Sequence, residues 1–482
     1  MRHHLIHLSY RFLMHTFLSI KRFALTVGLV FTSMHLSLAQ PHWPQWRGPV
    51  SNGIALEGHP PTTWSEQENI RWKKPIPGKG HASPVLWGKR LFLLTAIAES
   101  ATDNSGNSGV GNPPESQAER PGRRPGQGRG GRGGRGGRGG RGGFGGGQPA
   151  SVKHSFQTLC LDKETGDTLW VREGMAVIPH EGHHPTNSYS SGSAVTDGQH
   201  VVSFFGSRGL FVYDMEGNLA WKKDLGDMST RNGFGEGASP VLHGQTLVVP
   251  WDTEQESYLV AFDKRDGSEL WRQNRDERTG WSTPYILQHK GTIEVVVNAS
   301  NKVRSYNLAD GSLLWECAGQ TVNAIPSVVA DDRHLYAVSG YRGNAAMAIQ
   351  LGKRGDLSGS DAITWTLSRG TPYVPSPLLM NGRLWFTQGN DAVITCVEAQ
   401  TGKVHYTQER LDGPSGFYAS PVGVDGKVYL AGRNGTTVVL EDSDTLKVLA
   451  VNRLDDPIDA SPALSGDAIY IRGHQHLYCI AE

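Results

Sequence analysis

A repeated unit with a period of about forty to fifty residues runs through most of this sequence and restricts the folds it can adopt. Its clearest copy, residues 238–271, contains a small-residue start, two apolar runs, an Asp-Gly turn and a closing Trp271. Short apolar runs divided by turn residues at this spacing predict four antiparallel strands, which is the content of one propeller blade. The small-residue start occurs eight times, at 82–84, 192–194, 238–240, 282–284, 325–327, 375–377, 419–421 and 460–462. We therefore predict an all-β, eight-bladed propeller of four-stranded antiparallel blades.

The two ends of the repeat array predict how the ring closes. A large apolar residue marks the outermost strand of seven units, at Trp170, Trp221, Trp271, Trp315, Trp365, Tyr406 and Leu449. The eighth unit, residues 460–482, ends after its third strand, whereas Trp72 within residues 69–75 lies in an outermost strand that has no blade before it. We predict that this N-terminal strand joins the last blade, which removes a free sheet edge from the ring.

Residues 1–39 have the pattern of a cleavable export signal. A basic start precedes an apolar run at residues 23–36, and small residues follow as they do before a cleavage site. The run is too short to span a bilayer, so no transmembrane segment is predicted. The mature chain would begin at Gln40 and not at a Cys, which predicts a periplasmic or secreted protein without a lipid anchor; Met14 is an alternative translation start. Residues 40–68, rich in Pro and Trp, are expected to pack on the propeller as an ordered apron.

Residues 99–151 interrupt the first blade and differ in composition from the rest of the chain. They hold eight arginines in a context of Gly, Asn, Ser and Pro with almost no apolar residues. This composition predicts a disordered loop. Arg-Gly tracts contact RNA and other polyanions, but in an exported protein we expect only weak contact with anionic glycan or lipid. The formal net charge of +1 gives the chain as a whole no field directed at nucleic acid or membrane.

The cysteines of the sequence are spread over different repeats, at Cys160, Cys317, Cys396 and Cys479. Three of them occupy the same slot, in the strand before the turn, where other copies carry Ala or Val. Equivalent slots in different blades are expected to lie farther apart than the ~7 Å that a disulfide tolerates. We therefore predict four free thiols, despite the oxidising compartment.

The turn of the repeat carries a family signature. Residues 161–170 resemble the Ala-x-Asp-x-x-Thr-Gly-x-x-x-Trp motif of pyrroloquinoline-quinone (PQQ)-like propeller repeats, and a second copy matches at Ala261, Asp263, Gly267 and Trp271. In physical terms, the acid caps the turn, the Gly takes a positive φ and the Trp packs on the neighbouring blade. These residues build blades, so the resemblance implies the fold more strongly than any activity.

The resemblance implies two branches of the family with different functions. Quinoprotein dehydrogenases hold the quinone and a calcium ion in an eight-bladed ring, typically with a vicinal Cys pair, a Trp floor and Glu, Asn and Asp ligands. This sequence has no adjacent cysteines and few long insertions. It is more similar to the exported propellers of the outer-membrane-assembly type, which are non-enzymatic and bind partners. We therefore expect no cofactor, with PQQ and calcium as the alternative.

Residues just before each inner strand are expected to ring one mouth of the central channel, where ligands would bind. These positions hold His81, Tyr189, Glu236, Trp281, Asn323, Tyr373, Tyr418 and Asp459. An aromatic and polar ring of this kind has the chemistry to hold a flat or sugar-like ligand. The alternative is that these side chains bond one another or water.

Two further groups of residues suggest local chemistry. The loop at residues 180–191 carries His180, His183 and His184, whose neutral imidazoles are candidate ligands of zinc, copper or nickel, with ordinary loop hydrogen bonding as the alternative. Asp252 and Arg275 are predicted to form an ion pair that either orients a ligand or locks two blades together. For catalysis the sequence has no Gly-x-Ser-x-Gly elbow and no Walker loop, and the His-Glu-Gly-His-His run lies in a predicted loop and not on a helix.

These features predict an exported, monomeric propeller that acts as a binding or scaffold module for a protein partner of the cell envelope or for a small ligand. The alternative is a quinone- or metal-dependent oxidoreductase with its site at the channel mouth, around Glu236 and Trp281. No catalytic residue is identified.

Overall fold

Thirty-three β-strands and two short 3-10 turns, Gly206–Arg208 and Arg231–Gly233, are the regular structure of the residues described by the computed structural model, 41–99, 150–388 and 391–482. Thirty-two of these strands form eight sheets of four antiparallel strands, and Gly355–Asp356 adds in parallel to the outside of one sheet. The innermost strand of the first sheet contacts those of both the second and the eighth. The predicted all-β, eight-bladed propeller is therefore confirmed.

Each blade runs from an inner strand beside the channel to an outer strand at the rim. Blade 1 contains Val85–Trp87, Arg90–Ala98, His154–Asp162 and Thr168–Val177, and blade 2 contains Val195–Thr196, His200–Phe204, Leu210–Asp214 and Leu219–Lys223. Blade 3 contains Val241–His243, Thr246–Trp251, Ser257–Asp263 and Glu269–Arg275, and blade 4 contains Tyr285–His289, Thr292–Val297, Lys302–Asn307 and Leu313–Ala318. Blade 5 contains Val329–Ala330, His334–Ser339, Ala345–Gln350 and Ile363–Leu367, and blade 6 contains Leu378–Met380, Arg383–Thr387, Val393–Glu398 and Val404–Arg410. Blade 7 contains Val422–Val424, Lys427–Ala431, Thr436–Glu441 and Val448–Arg453, and blade 8 contains Ala463–Ser465, Ala468–Arg472, His476–Ile480 and Ile70–Pro75.

The outer strand of blade 8 comes from the other end of the chain. Ile70–Pro75 pairs antiparallel with His476–Ile480, and Trp72 lies opposite Cys479 in this register. The strand that contains Trp72 thus occupies the position that the incomplete eighth repeat leaves open. Backbone hydrogen bonds between the two ends of the chain hold the ring together at this blade.

The burial of the strands explains their two sequence patterns. Thr246–Trp251 is a second strand with sheet on both sides, and its residues from 247 to 251 are all buried. Glu269–Arg275 is an outer strand, and its side chains alternate between buried and exposed positions. Continuous apolar runs therefore mark the middle of a blade, whereas the alternating runs that end in Trp mark its rim.

The repeat Trp joins five of the blades to the next blade. Trp271 of blade 3 donates its indole N–H to the Leu308 carbonyl oxygen of blade 4 at 2.8 Å. Its ring also covers Gly311, where a Cβ atom would lie 2.5 Å from Trp271 Cε3 and where φ is +74°. The same contact recurs for the pairs Trp72 and Gly166, Trp170 and Gly217, Trp221 and Gly267, and Trp365 and Gly402. The Asp-x-x-x-Gly turn and the Trp are thus two halves of one contact between blades.

Replacement of Gly311 by Ala should destabilise the propeller by more than about 1 kcal/mol, because the positive φ and the Trp271 ring both oppose a Cβ atom. Gly426→Ala is the matched control, since its φ is +69° but nothing lies within 4 Å of the added Cβ. Chemical denaturation of the two variants measures the difference between their free energies of unfolding. Equal losses of stability would show that the Trp contact adds nothing to the backbone strain.

The Pro- and Trp-rich segment before the first blade covers one end of the channel. Trp43 exchanges backbone hydrogen bonds with Leu86 of blade 1. The buried Arg47 guanidinium donates to the carbonyl oxygens of Pro377 (2.5 Å) and Pro421 (2.7 Å), at the inner strands of blades 6 and 7. The side-chain amide of Asn52 donates to the Ala330 carbonyl oxygen of blade 5. This segment therefore crosses the ring and ties distant blades together.

The four cysteines are free and buried, as predicted. Among the described residues no helix is long and apolar enough to cross a membrane. The predicted export signal at 1–39 lies outside the described residues, and so does most of the predicted Arg-Gly loop, at residues 100–149.

Candidate functional site: the central cavity

Strand direction alternates within a blade, so two kinds of loop meet at one end of the ring. These are the connections that lead into each inner strand and the loops between the second and third strands of each blade. Together they form the mouth of a cavity of about 410 Å³ on the channel axis. Its floor includes Trp46, next to the Arg47 side chain that is bound to two inner-strand carbonyl oxygens. The cavity is therefore open at the mouth and backed by the N-terminal segment.

The structure places five of the eight predicted mouth residues on the wall of this cavity, namely His81, Trp281, Tyr373, Tyr418 and Asp459. Tyr189 and Glu236 line a much smaller adjoining cavity of about 30 Å³, which also includes Trp281. Asn323 is buried, and its side-chain oxygen accepts a hydrogen bond from Arg231 at 2.9 Å.

Glu236 does not present its carboxylate to the main cavity. The carboxylate accepts hydrogen bonds from the backbone N–H of Ser207, at 2.8 Å, and from the Ser207 hydroxyl. Burial raises the pKa of Glu236, against the lowering effect of these Ser207 hydrogen bonds. Gly206 is required beside it, because a Cβ atom there would overlap the carboxylate oxygen. Glu236 therefore stabilises the 3-10 turn Gly206–Arg208 and lines the small cavity, not the main one.

Aromatic rings form one wall of the cavity and are held in place by specific contacts. Tyr341 and Tyr373 stack with ring centroids 4.8 Å apart. The Trp281 indole N–H donates to the Gly235 carbonyl oxygen at 2.7 Å. The Arg433 guanidinium lies 3.9 Å from the centroid of the Tyr418 ring. These fixed rings offer flat faces to a bound molecule.

A ring of hydroxyl groups lies beneath the mouth, at the small-residue starts of the inner strands. The Ser83 backbone N–H donates to Ser193 Oγ at 2.8 Å, and the Ser193 N–H donates to Ser239 Oγ at 2.8 Å. The same bond, from a backbone N–H to the hydroxyl of the next blade, joins Ser239 to Thr283, Ser327 to Ser376, Ser376 to Ser420 and Ser420 to Ser461. A hydroxyl that accepts one bond still has a proton to donate. Within the described residues none of the six accepting hydroxyls donates to a protein atom, so the ring offers hydrogen-bond donors to the cavity.

The loop at residues 180–191 reaches across the mouth. Its Thr186 hydroxyl lies 3.4 Å from the Tyr418 hydroxyl, which belongs to the connection between blades 6 and 7. His184 lines the cavity, and burial lowers its pKa. The loop residues and Trp281 therefore line one cavity, whereas Glu236 is not among the residues that line it.

The three histidines of this loop have separate partners. His180 Nε2 lies 2.7 Å from the Met228 carbonyl oxygen, His183 Nδ1 lies 2.8 Å from the His184 carbonyl oxygen, and His184 Nδ1 lies 2.8 Å from the Thr186 hydroxyl. Since this stretch is not helical, the His-Glu-x-x-His spacing does not place its two histidines on one face. Elsewhere in the described residues one group with candidate metal ligands is present, His81, Asp459 and His474.

Asp459 links that group to the aromatic wall. Its Oδ1 atom is 2.7 Å from Arg433 Nε, and its Oδ2 atom is 3.1 Å from His474 Nε2 and 3.8 Å from His81 Nε2. Burial is the main cause that lowers the pKa of His81 to about 4, with Asp459 acting in the opposite direction. The His81 imidazole is therefore neutral at pH 7 and able to offer a lone pair.

The predicted ion pair between Asp252 and Arg275 is present and fully buried. Arg275 Nε is 2.7 Å from Asp252 Oδ1, and Nη2 is 3.1 Å from Oδ2. A third donor, Nη1, reaches the Tyr306 hydroxyl of blade 4 at 2.8 Å. Every polar group of the guanidinium is thus directed at blades 3 and 4. This geometry favours the interpretation that the pair locks two blades together.

Sequence reasoning missed four residues of the site, Trp46, Tyr341, Arg433 and His474. The last three lie in loops between the second and third strands of a blade. Because strand direction alternates, these loops lie at the same mouth as the connections that lead into the inner strands. Reading both loop types from the repeat would have found them. Trp46 carries no such signal, because the N-terminal segment has no repeat that fixes its path.

The donors that line the cavity do not match a site for PQQ and calcium. Calcium prefers six to eight oxygen ligands, whereas the described cavity offers one carboxylate, Asp459, which already bonds Arg433 and His474. The small cavity adds two acids, Glu236, which bonds Ser207, and Asp252, which is paired with Arg275. The residues present therefore do not fit a quinone-bound calcium ion.

Part of the repeat array is similar in sequence to a known protein family. A family model described as "Outer membrane protein assembly factor BamB" matches residues 155–408, just over half of the chain. BamB of Escherichia coli (strain K12) is 24% identical over 218 residues, which are 44% of this chain and 51% of that protein. BamB of Shigella dysenteriae serotype 1 gives the same values. The chain thus spans about half the length of the curated relatives it matches.

Two solved structures are similar to this chain to different degrees. The quinohemoprotein alcohol dehydrogenase from Comamonas testosteroni has a TM-score of 0.56 at 8% identity, over 92% of this chain and 81% of that chain. BamB from Moraxella catarrhalis has a TM-score of 0.40 at 14% identity, over 59% of this chain and 95% of that chain. At these identities the dehydrogenase shows the fold alone. The repeat signature, the eight blades and the match over residues 155–408 agree: this protein belongs to the PQQ-like β-propeller family whose model is described by outer membrane protein assembly factor BamB.

Proposed function

We propose that this protein is an exported binding module that holds an oxygen-rich, sugar-like ligand in its central cavity. The observation that carries the proposal is the aromatic wall that faces a ring of hydroxyl donors around about 410 Å³ of space. Aromatic faces pack on the apolar faces of sugar rings, while hydroxyl donors suit the ring and hydroxyl oxygens. A volume of this size is in the range of small-molecule sites.

The same residues support binding more than catalysis. Among the described residues no hydroxyl of the ring is hydrogen-bonded to a histidine or a carboxylate, so none is activated as a nucleophile. Asp459 is held by Arg433, and Glu236 is held by Ser207. The groups at the mouth are therefore arranged to fix one another and to shape the cavity.

Titration with glucose, N-acetylglucosamine and their β-linked disaccharides, followed by tryptophan fluorescence, tests the proposal. Trp46 and Trp281 line the cavity and should report occupancy. We expect saturable binding of at least one saccharide. Tyr373→Ala should weaken it at least about tenfold, which corresponds to ~1.4 kcal/mol, because it removes one of the two stacked rings of the wall.

Tyr258→Ala is the matched control, since this half-buried aromatic ring lies outside the cavity and its removal should leave the affinity unchanged. Binding that Tyr373→Ala leaves unaltered would contradict the proposed site. Saturable binding of PQQ with calcium, together with alcohol-dependent dye reduction, would replace the proposal by an oxidoreductase.

A second candidate is a protein-binding scaffold in the assembly of outer-membrane proteins. The observation that favours it is the family match over residues 155–408, because the description of that family model names an outer membrane protein assembly factor. The proposed export signal at residues 1–39 would place the chain in the cell envelope, where outer-membrane proteins are assembled. An absence of saturable binding across the saccharide panel would leave this scaffold role as the better supported function.

A further inference from the structure

We infer that His81, Asp459 and His474 form a binding site for a divalent transition-metal ion of the zinc class at the rim of the cavity. One ligand atom from each residue lies within 4.8 Å of the other two. Asp459 Oδ2 is 3.1 Å from His474 Nε2 and 3.8 Å from His81 Nε2. Two metal–ligand bonds of ~2.1 Å at a tetrahedral angle separate their ligand atoms by about 3.4 Å, so small side-chain shifts would close the site.

The donor chemistry selects the class of metal. Two imidazole nitrogens and one carboxylate oxygen are ligands that zinc, iron, nickel and copper accept. Calcium and magnesium prefer oxygen ligands throughout, so the same group disfavours them.

The surroundings of Asp459 orient its carboxylate for this role. Arg433 Nε donates to Oδ1 at 2.7 Å and Arg433 Nη2 lies 3.5 Å from Oδ2, the oxygen that faces the two imidazoles. Arg433 is itself fixed over the Tyr418 ring at 3.9 Å. A partner that bonds the distal oxygen of a ligating carboxylate is a common feature of metal sites. The positive charge of Arg433 opposes a cation, so we expect an affinity weaker than that of a closed structural zinc site.

The ligands come from three separate parts of the repeat array. His81 precedes the inner strand of blade 1, Asp459 precedes that of blade 8, and His474 lies between Ala468–Arg472 and His476–Ile480. Three protein ligands leave a coordination position free, and two of the three, His81 and Asp459, line the cavity. A bound ion would thus be accessible to a molecule in the cavity. The inference does not require the proposed saccharide, because metal binding is measurable by itself.

Cobalt(II) is the probe for the test, because its visible absorption band reports coordination by protein ligands. The purified full-length mature chain, stripped with a chelator, is titrated with cobalt(II) and then with zinc(II) as competitor. We expect one equivalent of cobalt to bind and zinc to displace it. His474→Ala and Asp459→Asn should each lower the cobalt affinity at least about tenfold; the half-exposed His474 is replaceable without loss of core packing.

His180→Ala is the matched control, because it removes one histidine of the mouth loop that has its own partner at the Met228 carbonyl oxygen. The cobalt affinity of the His180→Ala variant should equal that of the unaltered protein. Unchanged affinity in both His474→Ala and Asp459→Asn, or a loss in His180→Ala instead, would overturn the assignment. The two proposals are tested by separate measurements. Loss of cobalt binding in the variants supports the metal site whether or not any saccharide binds, and the saccharide titration is repeated with and without zinc.

Discussion

Arg275→Met should lower the free energy of unfolding by about 3–5 kcal/mol, because it leaves the buried Asp252 carboxylate without a partner. The exposed fractions of the two side chains are 0% for Arg275 and 4% for Asp252, so bulk solvent does not replace the lost bonds. The Tyr306 hydroxyl of blade 4 loses its bond to Arg275 in the same substitution. The unfolding midpoint in guanidinium chloride measures the effect.

Arg272→Met is the control for this experiment. Arg272 lies in the same outer strand, but it is exposed and pairs with the exposed Glu269 at 2.7 Å. Its removal should cost less than about 1 kcal/mol. The double variant Arg275→Met and Asp252→Leu should recover most of the stability, because no charge remains buried. If Arg275→Met were no less stable than Arg272→Met, the pair would not lock blades 3 and 4.

Trp72→Ala should destabilise the protein by about 3–5 kcal/mol, in the range of other losses of buried aromatic side chains. Trp72 is 7% exposed, donates to the Lys163 carbonyl oxygen at 3.1 Å and covers the Gly166 turn of blade 1. It therefore joins the strand from the N-terminal end both to blade 8 and to the next blade. Hydrogen exchange should also become faster in His476–Ile480, whose outer partner is that strand.

Arg71→Ala tests whether the effect belongs to the indole. Arg71 is the adjacent, exposed residue of the same strand, and its ion pair with Glu164 is a surface contact. Its substitution should change the free energy of unfolding by less than about 1 kcal/mol. Equal stability of the Trp72→Ala and Arg71→Ala variants, with no change in exchange, would mean that the joining strand contributes little to the ring.

The blades could be predicted because their signals are local. The small-residue starts, the positive-φ Gly and the outer Trp recur at similar spacings along the chain, and in five copies the Trp of the preceding blade covers the Gly. Gly311 beneath Trp271 is one such pair. A pattern repeated in this way fixes strand order and blade number without knowledge of the rest of the molecule.

The candidate site could be predicted only in part. The repeat indicated that His81, Tyr373 and Asp459 lie at the mouth, because position in the repeat fixes position on the ring. It did not indicate where side chains point. Glu236 turns away to bond Ser207, a contact across 29 residues that no local pattern encodes.

The sequence alone therefore determined the architecture, the free cysteines and the face on which the mouth lies, since these follow from a period that each blade repeats. Only the tertiary structure decided that His474 lies against Asp459 and His81, that Trp46 lies at the floor and that the hydroxyls of the inner-strand starts gather around the cavity. The physical reason is that loops take their conformation from partners on other blades, whereas strands follow from the apolar pattern of their own residues.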